Sequence, residues 1–185
     1  MRAMPETERI GLAHGVSAPE AYWLAGIRAR NPDALKHLYH RYRAPVLRFL
    51  SLVEPERAPA EACLDVFEEV WHRAATSPPD STVAEWVLGI AYGVLLRHAK
   101  FPGGALASAQ EELSSGPRRI LCPLSWEQRV VVALVYASEL SIDSIEVVTG
   151  MTHEEITGHL SKACALLRPQ VRQPTPETVT IRSTT

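Results

Sequence analysis

Cysteine is scarce in this chain. There are three in 185 residues, Cys63, Cys122 and Cys164, and no CxxC pair among them. An odd number at wide spacing provides neither a disulfide framework nor a zinc knuckle, so a reducing, cytoplasmic setting is expected. Long apolar runs are missing too. The longest, Val130 to Ala137, falls far short of the roughly 18 residues of a membrane span, and no membrane insertion is expected. The opening Met1-Arg-Ala-Met-Pro-Glu-Thr-Glu has no apolar stretch of the kind a secretory signal carries. Neither charge sign dominates: 19 Lys and Arg stand against 21 Asp and Glu, a net of −2. That excludes a globally basic, histone-like protein and leaves room for a local basic patch. Catalytic signatures are also lacking. There is no HExxH, no phosphate-binding glycine loop and no nucleophile elbow. His37 and His40 lie three apart on a helical stretch, but a metal site needs a third ligand that no carboxylate pattern supplies. No enzyme, metal or cofactor is expected.

What the chain does have is helix punctuation. Most of its 14 prolines, among them Pro19, Pro32, Pro59, Pro123 and Pro169, fall where helices start or stop. Between them the apolar spacing is helical and no stretch alternates with period two, so the fold class is all-α. Ser17-Ala-Pro-Glu20, Thr82-Val-Ala-Glu85 and Ser125-Trp-Glu-Gln128 read as capping boxes. Asn31-Pro32 reads as an N-cap followed by an N1 proline. The helix after it carries Leu35, Leu38, Tyr39, Tyr42, Val46, Phe49, Leu50 and Val53 as an apolar stripe, with Pro45 expected to bend it. A third helix starts near Pro59 and buries Cys63, Val66, Phe67, Val70 and Trp71. A fourth buries Val83, Trp86, Val87, Ile90 and Val94, with Gly89 and Gly93 weakening its other side. The breaker clusters Phe101-Pro-Gly-Gly and Ser114-Ser-Gly-Pro117 mark a linker. The organisation is thus an N-terminal extension (1–19), a helical domain (20–100), a flexible linker (101–123), a second small helical domain (124–172) and a disordered tail (173–185).

In the second domain, Ile142 to Thr149 and His153 to Arg168 are two helices joined through Gly150, a helix-turn-helix pattern. Its physical use is to lay the second helix in the major groove while the first braces it, although a helical bundle shows the same apolar spacing. The segments Leu124-Ser-Trp-Glu-Gln-Arg129, Leu140-Ser-Ile-Asp-Ser-Ile145, Thr149-Gly-Met-Thr152 and Leu160-Ser-Lys-Ala163 resemble the fourth domain of extracytoplasmic-function (ECF) sigma factors. Ala34-Leu-Lys-His-Leu-Tyr-His-Arg-Tyr42, Val66-Phe-Glu-Glu-Val-Trp71 and Trp86-Val-Leu-Gly-Ile-Ala91 resemble that family's second domain, in the family's order.

The resemblance implies core RNA polymerase, promoter DNA and an anti-sigma factor as partners. It places polymerase binding on the third helix, where Glu61, Leu64, Asp65, Glu68 and Glu69 lie outside the apolar stripe and Leu64 stands where the family has glutamine. A solvated acidic helix face gives the same pattern. On the −10 side the implied DNA residues are Ser77 and Asp80 in the Thr76 to Ser81 loop, then Tyr92, Arg97, His98 and Lys100, with Trp86 either beside the opened strand or in the core. On the −35 side they are Thr152, His153, Thr157, His159, Lys162 and Arg168.

The chain departs from the family in two places. Tyr92-Gly93 replaces the Arg-Asn of the fourth helix, and the recognition helix opens on His153-Glu154-Glu155. From Leu124 to Arg172 the bases are Arg129, Lys162, Arg168 and Arg172, against Glu127, Glu139, Asp143, Glu146, Glu154 and Glu155. Phosphate neutralisation supplies much of the affinity of such modules, so this one is well built as a helix-turn-helix and weakly built for DNA. A basic cluster lies elsewhere: Lys36, Arg41, Arg43 and Arg48, with no acid between Lys36 and Val53. Two readings follow, a promoter-directing ECF sigma factor and a sigma-like regulator that binds polymerase or an anti-sigma factor without reading DNA.

Overall fold

The computed structural model describes residues 17–54, 58–76, 82–100, 121 and 123–171. Over these it is all-helical. The order is α1 (Ala18–Arg28), α2 (Pro32–Val53), α3 (Pro59–Arg73), a 3-10 turn (Ala74–Thr76), α4 (Val83–Lys100), α5 (Trp126–Tyr136), α6 (Ile142–Thr149) and α7 (His153–Val171). Most of the proposed linker, the whole of the tail, and Ser77 and Asp80 lie outside the described residues.

Local chemistry sets the helix ends. Asn31 accepts a hydrogen bond from the Asp33 amide at 3.0 Å while Pro32 opens α2, satisfying one of the first-turn donors. The Thr82 amide donates to the Glu85 carboxylate at 2.7 Å, and the Glu85 amide donates back to the Thr82 hydroxyl at 3.2 Å. Ser125 and Gln128 make the same reciprocal pair at 2.9 and 3.3 Å. At the end of α1, the Arg30 amide donates to Ile27 and the Asn31 amide to Gly26, both at 2.9 Å. This is the crossed Schellman pattern, with Arg30 at φ +60 where glycine is usual. α2 continues through Pro45 to Val53.

Helices α1 to α4 pack together, and Leu38, Val46, Phe49, Val53, Val66, Val70, Val87 and Val94 are wholly or almost wholly buried. Gly26 lets α1 approach α2. A Cβ there sits 2.6 Å from the Ala34 Cβ, and neither atom belongs to a flexible side chain. Gly26→Ala is therefore expected to cost about 1–3 kcal/mol, the usual penalty of overpacking, read as a lower urea midpoint with unchanged m-value.

A second tie joins α1 to α2. The Glu20 carboxylate accepts hydrogen bonds from the Ser17 amide at 3.2 Å, the Ser17 hydroxyl at 2.8 Å and the Tyr42 phenol. Burial pushes the Glu20 carboxyl up, but the bonds from Tyr42 and Ser17, with Arg41 nearby, outweigh it and hold the group below its ordinary value. Burial, then Glu20 itself, raises the Tyr42 phenol. A depressed carboxyl contributes stability above its unfolded value and loses it as pH falls through the folded one. Tyr42→Phe should cost about 1.5 kcal/mol near neutrality, the low end of the range for a bond to a charged group. The difference from wild type should shrink as pH falls and Glu20 protonates in both proteins, as denaturation at several pH values will show.

The two sets of helices share one core. α5 packs on α2, and α6 packs on α4. Val130, Val131, Ala133, Leu134, Ile145, Val148 and Ile156 belong to the same buried cluster as the core of α1 to α4. A smaller cluster of Leu121, Leu124, Val132 and Ala163 also takes in Leu52 of α2. None of the described helices is long and apolar enough to cross a membrane.

Candidate partner groove and helix-turn-helix

The antiparallel pair α2 and α3 leaves an apolar groove of about 490 Å³ on its outer side. Pro32, Leu35, Lys36 and Tyr39 line it from α2, and Leu64, Phe67, Glu68 and Trp71 from α3. The Tyr39 ring meets Phe67 edge-on at 4.9 Å, the geometry that aromatic quadrupoles favour. Trp71 is held by Arg30. The Arg30 guanidinium lies 5.3 Å from its ring and donates to its carbonyl at 3.2 Å, so the left-handed backbone at Arg30 positions a groove wall. Leu64 is 61 % exposed.

The groove has one rim of each sign. Glu61, Asp65 and Glu68 are exposed on α3, and their i, i+4, i+7 spacing puts them on one face. Lys36, His40 and Arg43 are exposed on α2 with the same spacing, and the Arg43 guanidinium lies 5.8 Å from the Tyr39 ring. The basic cluster on α2 is thereby divided. Lys36 and Arg43 are seven residues apart and share the groove side, whereas Arg41 and Arg48 lie together on another side. Of the expected polymerase-facing set, Glu61, Leu64, Asp65 and Glu68 stand on the exposed face. Glu69 turns inward to ion pairs with Arg73 at 3.3 Å and Arg97 at 3.8 Å.

Sequence reasoning did not find the groove. Leu35 and Tyr39 read as core stripe but are half-buried. The signal was there in Leu64, a large apolar residue in an acidic, solvent-facing row.

Of the expected −10 residues that are described, Tyr92 and Arg97 have different surroundings. Tyr92 is 9 % exposed, and its ring packs 5.9 Å from that of Trp126 at the start of α5. Trp86 is half-buried against the core, in keeping with its helical phase. Arg97 is exposed and paired with Glu69. Burial, then Glu127, raises the Tyr92 phenol.

Helices α6 and α7 are joined by a short, well-capped turn. Ser141 caps α6 by accepting from the Ser144 amide at 3.2 Å. Gly150 ends it at φ +73, its amide bonded to Glu146 at 2.8 Å, a backbone that costs glycine nothing. The Thr149 hydroxyl accepts from the Met151 amide at 3.2 Å and turns the chain into α7. There Thr152 and Glu155 form a reciprocal cap at 2.8 and 3.3 Å.

This cap assigns the two acids of the first turn. Hydrogen bonds from Thr152, backbone first, hold the Glu155 carboxyl below its ordinary value, so Glu155 is committed to the helix, and Glu154 is exposed. The expected −35 residues run from Thr152, which caps α7, along that helix to Arg168. Thr152, His153, Lys162 and Arg168 are exposed, and Thr157 and His159 half-buried. Thr157 donates back to the His153 and Glu154 carbonyls at 2.9 and 3.1 Å, and His153 sits 3.8 Å from Glu146. Replacing Glu154 with Lys should therefore leave the fold intact and raise affinity for duplex DNA. It should also steepen the log–log salt dependence by about 1, the contribution of one added phosphate contact; a salt titration of binding reads both.

No family model matches the chain, and no curated protein matches it. Among solved structures it shares its all-helical fold with CnrH, seen in complex with the cytosolic domain of CnrY. The TM-score is 0.68 at 20 % identity, over 83 % of this chain and 97 % of that one.

Proposed function

We propose that the chain is an ECF-type sigma factor whose α2–α3 surface docks core RNA polymerase. Its helix-turn-helix addresses promoter DNA once polymerase holds it there. The observation that carries this reading is the apolar groove with its acidic α3 rim, on a fold shared with CnrH. Apolar anchors entering a desolvated pocket supply most of the energy of such contacts, and flanking charges set orientation. With an acidic first turn on α7, DNA affinity outside the polymerase complex is low by construction. CnrH is seen in complex with the cytosolic domain of CnrY, and the resemblance to ECF sigma factors implies an anti-sigma factor that competes for the same surfaces here. The chain works by binding rather than catalysis, in the cytoplasm, where polymerase is.

A second reading is favoured by the burial of Tyr92 against Trp126 and by the acids of α7. It is a sigma-like regulator that binds polymerase or an anti-sigma factor and does not read promoters. Affinity purification of the tagged chain from its host, with and without the gene for any co-purifying inhibitor, tests the two. Recovery of the β and β′ subunits together with run-off transcription from a mapped promoter supports the first. Recovery of β and β′ without transcription selects the second, and recovery of neither subunit in either strain overturns the sigma reading.

A further inference from the structure

We infer that the α2–α3 groove is the interface of a homodimer, with a second copy of this chain seated on it about a two-fold axis parallel to the two helices. Two observations carry this, and neither depends on the sigma reading. The first is an apolar contact surface left open to solvent. Leu35, Tyr39, Phe67 and Trp71 line a groove of about 490 Å³, and Leu64 stands beside them 61 % exposed. Apolar surface of this kind, rimmed by polar residues, marks an association site.

The second is the register of the charges around it. The Tyr39–Phe67 ring contact at 4.9 Å fixes the relative height of the two helices. Because they run antiparallel, each step back along α2 is a step forward along α3. Lys36 is then level with Glu68, His40 with Asp65 and Arg43 with Glu61, each to within about two residues, or roughly 3 Å of rise. All of these side chains are exposed. Glu68 also meets His72 of its own helix at 3.9 Å, and its side chain is still 74 % exposed.

Such a face is its own complement. An isologous contact makes every pairing twice. A two-fold axis parallel to the helices lays α2 of each copy against α3 of the other and preserves height, so each basic residue meets the acid level with it. An axis across the helices would set the basic rims against each other, and like charges oppose that arrangement. Leu64 of each copy then enters the groove of the other, giving the apolar centre and charged rim that interfaces share. One consequence rests on the polymerase reading: the dimer hides the docking surface and is an inactive form.

Sedimentation equilibrium of the full chain, with reductant present, should show a reversible monomer–dimer equilibrium. Leu64→Arg should weaken it at least tenfold. Lys36→Glu alone and Glu68→Lys alone should each do the same, since each sets like charges together at both repeats of the pair. An equimolar mixture of those two variants should dimerise as wild type does, because in the mixed dimer both pairs again join opposite charges. Arg43→Glu mixed with Glu61→Lys provides a second such test if either variant of the first pair is misfolded by circular dichroism. Monomer at every soluble concentration overturns the dimer. So does dimerisation unchanged by Leu64→Arg, or a mixture of folded variants that associates no more tightly than its components. Core polymerase, added separately, should convert the dimer to a one-to-one complex. A dimer that passes the mixing test and is left intact by polymerase supports the homodimer and counts against the polymerase reading. A monomeric wild type that binds polymerase overturns the homodimer and leaves the polymerase reading standing.

Discussion

Leu134→Ala should lower the stability of the whole chain by about 2–5 kcal/mol, the range for truncating a buried leucine, and should do so in a single transition. Leu134 is fully buried on α5 in a cluster that also holds Phe49, Val53, Val87 and Val94 from α2 and α4. Were the two helix sets independent domains on a flexible tether, the substitution would melt α5 to α7 and leave α1 to α4 untouched. With a shared core, the loss is felt on both sides. Hydrogen exchange reads the difference: amides in α2 and α4 should lose protection together with those in α5 and α6. Protection that falls only after residue 124 would show that the sets are uncoupled.

Trp71→Ala should weaken binding of the groove's partner by about 2 kcal/mol or more, roughly 30-fold, as truncated aromatic anchors commonly do. The ring lines the groove, and Arg30 fixes it through both its face and its carbonyl, so little order is lost when a partner arrives. Arg30→Gly separates positioning from contact. It relieves the left-handed backbone while freeing Trp71, and it should reduce affinity by less than Trp71→Ala at equal or higher thermal stability. Equal affinity in wild type and Trp71→Ala, measured by titration calorimetry, would place the partner elsewhere.

Much of this architecture is legible in the sequence because its signals are local. Thr82 with Glu85, Ser125 with Gln128, and Asn31 with Pro32 each complete a cap within three residues, and the structure has every one of these helix starts. Apolar spacing then identifies the buried faces. It fails where burial depends on which helix comes next. Leu35 and Tyr39 carry the same spacing as Leu38 and Tyr42, yet one pair lines an open groove and the other is core. Tyr92 looks like a ring offered to unpaired bases until Trp126, which follows it by more than 30 residues, is found against it. Lys36, Arg41, Arg43 and Arg48 read as one basic run, but helical rotation assigns them to two sides. Two clues to the shared core were present, the contiguous apolar run from Val130 and the glycine at 89. The first makes sense when α5 is seen between α2 and α7, and the second when α6 is seen on α4.

The most direct test of the account is binding of purified core RNA polymerase to the full chain and to Leu64→Arg. Leu64 is mostly exposed, so the substitution should change folding stability by no more than about 0.5 kcal/mol, while placing a charged side chain in the apolar groove. The account predicts measurable binding by the wild type and at least a tenfold loss in Leu64→Arg, with thermal unfolding unchanged. Equal binding by the two proteins, or none by the wild type, would contradict the assignment of the α2–α3 groove as the polymerase-docking surface.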